Sequence, residues 1–69
     1  MMSRREREDV LVRRTVTAET IPSGQPYELH EGELAQITQA LGGSFTLVVR
    51  GQLARLKGAD ADAIGKEPP

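Results

Sequence analysis

Two short stretches of this 69-residue sequence bring acid–base or metal-binding groups close together. HEGE, at residues 30–33, sets His30 beside Glu31 and Glu33, the nitrogen and oxygen donors that a divalent transition metal takes. Asp60 and Asp62 form a D-x-D pair of the kind that opens a calcium loop. Neither constellation is complete. His30 is the single histidine and cysteine is absent, so no second nitrogen or sulfur donor closes a shell around HEGE. One glycine, Gly65, sits nearby, but the ligand spacing of a calcium loop is missing. The sequence therefore reads HEGE as turn charges in solvent, Asp60 as a helix N-cap and Asp62 as a solvated charge, and it expects no bound metal or cofactor. Ser23, Ser44 and the threonines are nucleophiles only if a base activates them, and His30 would have to be that base with a carboxylate to orient it. The spacing assembles no such triad. Turn hydroxyls bonded to backbone account for Ser23 and Ser44, and the chain is expected not to be an enzyme.

Charge and aromatic content bear on binding. Nine basic residues face ten acidic ones for a net charge of −1, so no overall field draws in nucleic acid or anionic lipid. Small β-barrels that bind nucleic acid stack bases on aromatic rings between basic side chains, but Tyr27 and Phe45 are the only aromatics here. Phe45 alternates with Leu47 and Val49 and reads as core. Arg13, Arg14, Arg50 and Arg55 would make a basic stripe if their strands were neighbours; a solvated face is the simpler reading. Two aromatics also make a poor groove for proline-rich peptides.

The elements that position these groups are short strands. Residues 2–9 alternate arginine with acidic residues and carry no apolar anchor after Met2, which predicts a charged disordered arm over residues 1–8. Residues 10–20 are β-branched and extended, with Val10, Val12, Val16 and Ala18 on one face and Arg14 interrupting it. Pro22-Ser23-Gly24 suits a type II turn. Tyr27 and Leu29 share a face of a strand over residues 26–30, and HEGE reverses the chain at Gly32. Over residues 34–41, Ala35, Ile37, Gln39 and Leu41 form the face expected to be buried. Gly42-Gly43 is a two-residue hairpin signal that pairs Leu41 with Ser44. Phe45, Leu47 and Val49 form the inner face of residues 44–50, Gly51 allows another reversal, and residues 53–57 make a last strand. A single helical turn follows, stopped at Gly65, and residues 66–69 read as tail or linker. Apolar runs fall far short of the roughly 20 residues of a membrane-spanning helix, and the charged N-terminus is unlike a signal sequence.

IPSG at residues 21–24, ITQALGGS at 37–44, LAR at 53–55 and DADAIG at 60–65 occur in that order. With these segments in register, residues 9–65 resemble the N-terminal extension of the long SufT family, proteins associated with SUF-type iron–sulfur cluster assembly. Relatives commonly carry Asn-Gly-Asn where this chain has Arg50-Gly51-Gln52, which costs turn preference because asparagine enters the left-handed region more readily than arginine. In the full-length family a domain of the MIP18 type follows the extension. No position here matches that domain, so its cluster-related residues are not carried over.

These readings combine into a set of expectations. The fold is all-β, a small five-stranded antiparallel meander curling into an open SH3-like barrel, with one short C-terminal helical turn. The β domain covers residues 9–65, and its core is Val12, Val16, Leu29, Ile37, Leu41, Phe45, Leu47, Val49 and Leu56. The charged N-terminus and short apolar runs read as a soluble, cytoplasmic chain, and the resemblance implies an accessory or protein-interaction module that is non-catalytic by itself. Its partner is another protein of the iron–sulfur maturation machinery or a MIP18-type domain. With the strands' apolar faces assigned to the core, contact falls to exposed polar positions in the family-like segments: Gln39, Arg55, Asp60 and Asp62. The alternative is a small barrel that binds nucleic acid or a small ligand.

Overall fold

The computed structural model describes residues 7–68 and, within them, the backbone but not the side chain of Leu41. Six strands form one antiparallel sheet: β1 (Glu8–Leu11), β2 (Val16–Thr20), β3 (Pro26–Leu29), β4 (Leu34–Leu41), β5 (Ser44–Val49) and β6 (Gln52–Lys57). A 3-10 helix, Gly58–Ile64, follows. The strand order across the sheet is β1-β4-β5-β6-β2-β3. The all-β class and the C-terminal helical turn are as expected, and the sheet is open. Residues 1–6 of the expected arm lie outside the described residues, and at Glu8 the chain is already in β1.

The strand count and order correct the sequence reading. The segment expected as one strand over residues 10–20 is two strands, because continuing the alternation would turn Arg14 into the core. Instead the chain leaves the ladder after Val12, and Arg14 turns outward to Asp60 and Asp62. β1 and β2 run in the same direction but lie on opposite sides of the β4-β5-β6 meander. In a flat sheet four strand spacings would separate them by roughly 19 Å. The five peptide links from Leu11 to Val16 reach at most about 18 Å. The sheet must therefore curl, and its concave face holds the core.

That core is Val12, Val16, Ala18, Leu29, Ala35, Ile37, Phe45, Leu47, Val49, Ala54, Leu56, Ala61, Ala63 and Ile64. It contains every residue expected there except Leu41, whose side chain lies outside the described residues. The 3-10 helix contributes Ala61, Ala63 and Ile64, so it plugs the curled sheet rather than resting on its surface.

Local sequence explains the turns. Gly42 and Gly43 have φ of 69° and 84°, the two positive values of a type I′ turn, and Leu41 pairs with Ser44 as expected. The turn after β2 departs from the expected type II form. Thr20 O, not Ile21 O, accepts from Gly24 N at 2.8 Å, Thr20 N donates to Gln25 O, and the Ile21–Pro22 bond is cis. In β4 the pairing shifts between Ile37 and Gln39, a bulge that reverses the side-chain alternation. Beyond it Ala40, not Gln39, opposes buried Phe45, and Gln39 opposes Thr46 on the outer face. Of the face expected over Ala35, Ile37, Gln39 and Leu41, Ala35 and Ile37 are buried, Gln39 lies outside, and no amide has to be buried.

Candidate functional site

The outer, convex face carries the groups available for contact. Leu11 on β1 and Leu34 on β4 are register partners, and they are 57% and 61% exposed. A neighbouring row crosses four strands as Asp9, Gln36, Val48 and Leu53, the last 42% exposed. Gln36 ties the β1 end together: its Oε1 accepts from Arg7 Nη1 at 3.0 Å and its Nε2 donates to Asp9 Oδ1 at 3.1 Å. The apolar faces of the strands are taken up by the core, and three leucines, Leu11, Leu34 and Leu53, remain outside it. They sit on the face that alternation assigns to solvent.

Gln39 and Arg55 belong to the next row. It runs Gln39, Thr46, Arg55, Glu19 across β4, β5, β6 and β2, so the curled sheet places these two expected contact residues on one face with Thr46 between them. Asp60 and Asp62 are elsewhere. Arg14 Nε donates to Asp62 Oδ2 and Arg14 Nη2 to Asp62 Oδ1, both at 2.8 Å, and Nη2 also reaches Asp60 Oδ1 at 3.2 Å. Asp60 is not the N-cap: Lys57 holds that position without a side-chain cap, and Asp60 lies at a kink inside the helix. Asp62 is exposed to solvent, as expected, and is also half of a bidentate pair. Gly65 ends the helix as expected, with φ of 73° and its N–H donating to Asp62 O. The Arg13 guanidinium packs against it so closely that a Cβ would lie 2.8 Å or less from three of its atoms.

A second clamp was not legible in the sequence. Arg50 takes the left-handed conformation, φ 52°, in the Arg50-Gly51 turn where asparagine is the easier choice. Its side chain supplies the reason. The guanidinium lies 4.7 Å from the Tyr27 ring centroid, donates through Nε to Tyr27 Oη at 3.1 Å and through Nη2 to Glu28 O at 2.9 Å, and pairs with Glu33. Tyr27 in turn donates to Val49 O at 3.0 Å. The only sequence signal was the strained turn residue itself. HEGE is part of this clamp: Glu33 Oε1 accepts from His30 N at 2.9 Å, and Oε2 faces Arg50. Among the described residues no three His, Asp or Glu side chains converge as metal ligands. The basic stripe does not form, since Arg14 binds the 3-10 helix, Arg50 binds β3, and Arg55 lies within β6 between Glu19 and Thr46. Ser23 sits in the turn as expected, but its hydroxyl bonds to the Thr20 hydroxyl at 2.5 Å, not to backbone.

Both clamps give the fold an acid limit. Hydrogen bonds from Arg14 hold the Asp62 carboxyl below the ordinary aspartate value, and the His30 N–H followed by Arg50 does the same for Glu33. The folded-state values lie below the unfolded ones. Their contribution to stability is therefore complete above roughly pH 5–6, declines as pH falls through the unfolded values, and is lost below the folded ones. Thermal melting from neutral pH downward should show a loss confined to that acid range, and Arg14→Gln should remove the Asp62 part of it. Identical acid profiles for the two proteins would contradict the Asp62 assignment.

No family model, curated protein or solved structure matches the chain. No helix among the described residues is long and apolar enough to cross a membrane.

Proposed function

We propose that this chain is a non-catalytic docking module of SUF-type iron–sulfur cluster assembly, acting in the cytoplasm. It holds another protein of the maturation machinery or a MIP18-type domain. The pathway rests on the four ordered segments that resemble the long SufT extension. The docking role rests on one observation: Leu11 and Leu34, opposed in register, leave more than half of each side chain in solvent on a sheet face whose polar neighbours are held in place. A rigid scaffold with apolar groups outside its core has surface to offer a partner. Gln39 and Arg55, in the adjoining row of the same face, are proposed to set specificity at its polar side. Asp60 and Asp62 contribute indirectly, by fixing residues 12–15 through Arg14.

Co-purification tests this reading. The tagged chain should recover proteins of the iron–sulfur maturation machinery, and a Leu34→Lys variant with unchanged melting should not. Recovery of nucleic acid alone would overturn it in favour of the barrel that binds nucleic acid.

A further inference from the structure

The two edges of the open sheet are unequal. On β3 the outward positions are Pro26, Glu28 and His30, because Gln25 O already faces β2 by accepting from Thr20 N. Pro26 has no N–H. The Glu28 carbonyl accepts from Arg50 Nη2, His30 N donates to the Glu33 carboxylate, and His30 O accepts from Glu33 N. Of the groups that an added strand would use here, only Pro26 O and Glu28 N lack such a block among the described residues.

β1 is managed differently. Val12 faces β4, donating to Glu33 O and accepting from Gly32 N, so the alternate positions Asp9, Leu11 and Arg13 point their backbone groups away from the sheet. Arg13 N is covered, donating to Ala63 O of the 3-10 helix at 2.6 Å. Asp9 and Leu11 have no such cover among the described residues. Beside this open edge lie Leu34 and the Leu11 side chain, both more than half exposed, and the Asp9 carboxylate, which has no cationic partner among the described residues.

We propose that the β1 edge accepts an antiparallel strand from a partner protein. That strand presents an apolar residue opposite Leu11 and, two positions later, a basic residue opposite Asp9. Its backbone completes the ladder at Asp9 and Leu11, its apolar side chain covers the Leu11–Leu34 pair, and its cation meets the Asp9 carboxylate. A second copy of this chain is a poorer occupant. Two-fold pairing centred on Asp9 opposes two carboxylates, and centring on Val10 sets Asp9 against leucine. Centring on Leu11 needs the Arg13 N–H that Ala63 already holds. Centring on Glu8 pairs Arg7 with Asp9 but leaves Leu11 opposite Arg5.

This inference rests on the docking reading and can fail separately from it. In the full chain, amide hydrogen exchange should be fast at Asp9 and Leu11 and slow at Val10 and Val12; slow exchange at all four would mean that the edge is already covered and would overturn the proposal. The binding probe is a short threonine-rich peptide with a central Val-Thr-Lys, followed by NMR. Its largest amide shifts should fall at Asp9 and Leu11. Replacing its Lys by Glu should weaken binding about fivefold. Asp9→Pro removes an outward N–H and leaves the backbone ladder to β4 in place, while giving up the carboxylate and its bond from Gln36 Nε2, and should weaken binding by at least about tenfold. Leu11→Lys, which keeps the backbone edge intact, serves as the second variant and should also weaken binding. Shifts centred on Gln39 and Arg55, or affinity unchanged in both variants, would overturn the edge proposal while leaving docking on the outer face. A concentration-dependent dimer abolished by Asp9→Pro would assign the edge to a second copy instead.

Discussion

Phe45→Ala should lower the unfolding free energy by about 3–5 kcal/mol. Phe45 is the only phenylalanine of the chain and is 4% exposed, set on β5 between Ala40 of β4 and Leu56 of β6. Ala40 is too small to fill the space a truncated Phe45 would leave, and the sheet it bridges cannot collapse without losing its curl. A domain of this size has total stability toward the lower end of about 5–15 kcal/mol. The variant should therefore melt more than about 10 °C lower. Urea denaturation at constant m-value measures it. A change below about 1 kcal/mol would place Phe45 on the surface and revive base stacking.

The second large effect is expected at Ile64. Ile64→Ala should cost about 2–5 kcal/mol, and Ile64→Val about 0.5–1.5 kcal/mol. Ile64 is 2% exposed, and its neighbours Ala61 and Ala63 are fully buried. The helix that carries it is also tied to residues 12–15 by the Arg13 N–H bond to Ala63 O and by Arg14. Because the plug closes the curled sheet, the loss should appear in the single global transition at unchanged cooperativity. A small early transition with the main one unmoved would mean that the 3-10 helix frays independently of the curled sheet.

These two sites mark what the sequence discloses and where it falls silent. Phe45 was legible because Phe45, Leu47 and Val49 alternate without interruption beside a Gly-Gly turn whose conformation follows from the residue type alone. Ile64 was not, because a short alanine-rich segment carries no period strong enough to separate a buried plug from a solvated turn. Arg14 did announce a break in the alternation, but a local pattern could not say that the chain would cross from one sheet edge to the other. Its partners lie more than forty residues away. The bulge after Ile37 reversed Gln39 for a similar reason: a register shift depends on the paired strand, not on β4 alone. Of the expected contact residues, Gln39 and Arg55 share the outer face, whereas Asp60 and Asp62 are held by Arg14. Leu11 and Leu34 were placed toward solvent by alternation, yet only strand pairing brings them side by side.

The central claim, docking within iron–sulfur cluster assembly, is tested most directly by co-purification of the tagged chain from cells at low and at high salt, with recovered proteins and nucleic acid both identified. An interface built around Leu11 and Leu34 predicts that proteins of the iron–sulfur maturation machinery are retained at both salt concentrations and lost with Leu34→Lys. Nucleic acid recovered at low salt and released steeply as salt rises, with no maturation protein retained, is the result that would contradict it.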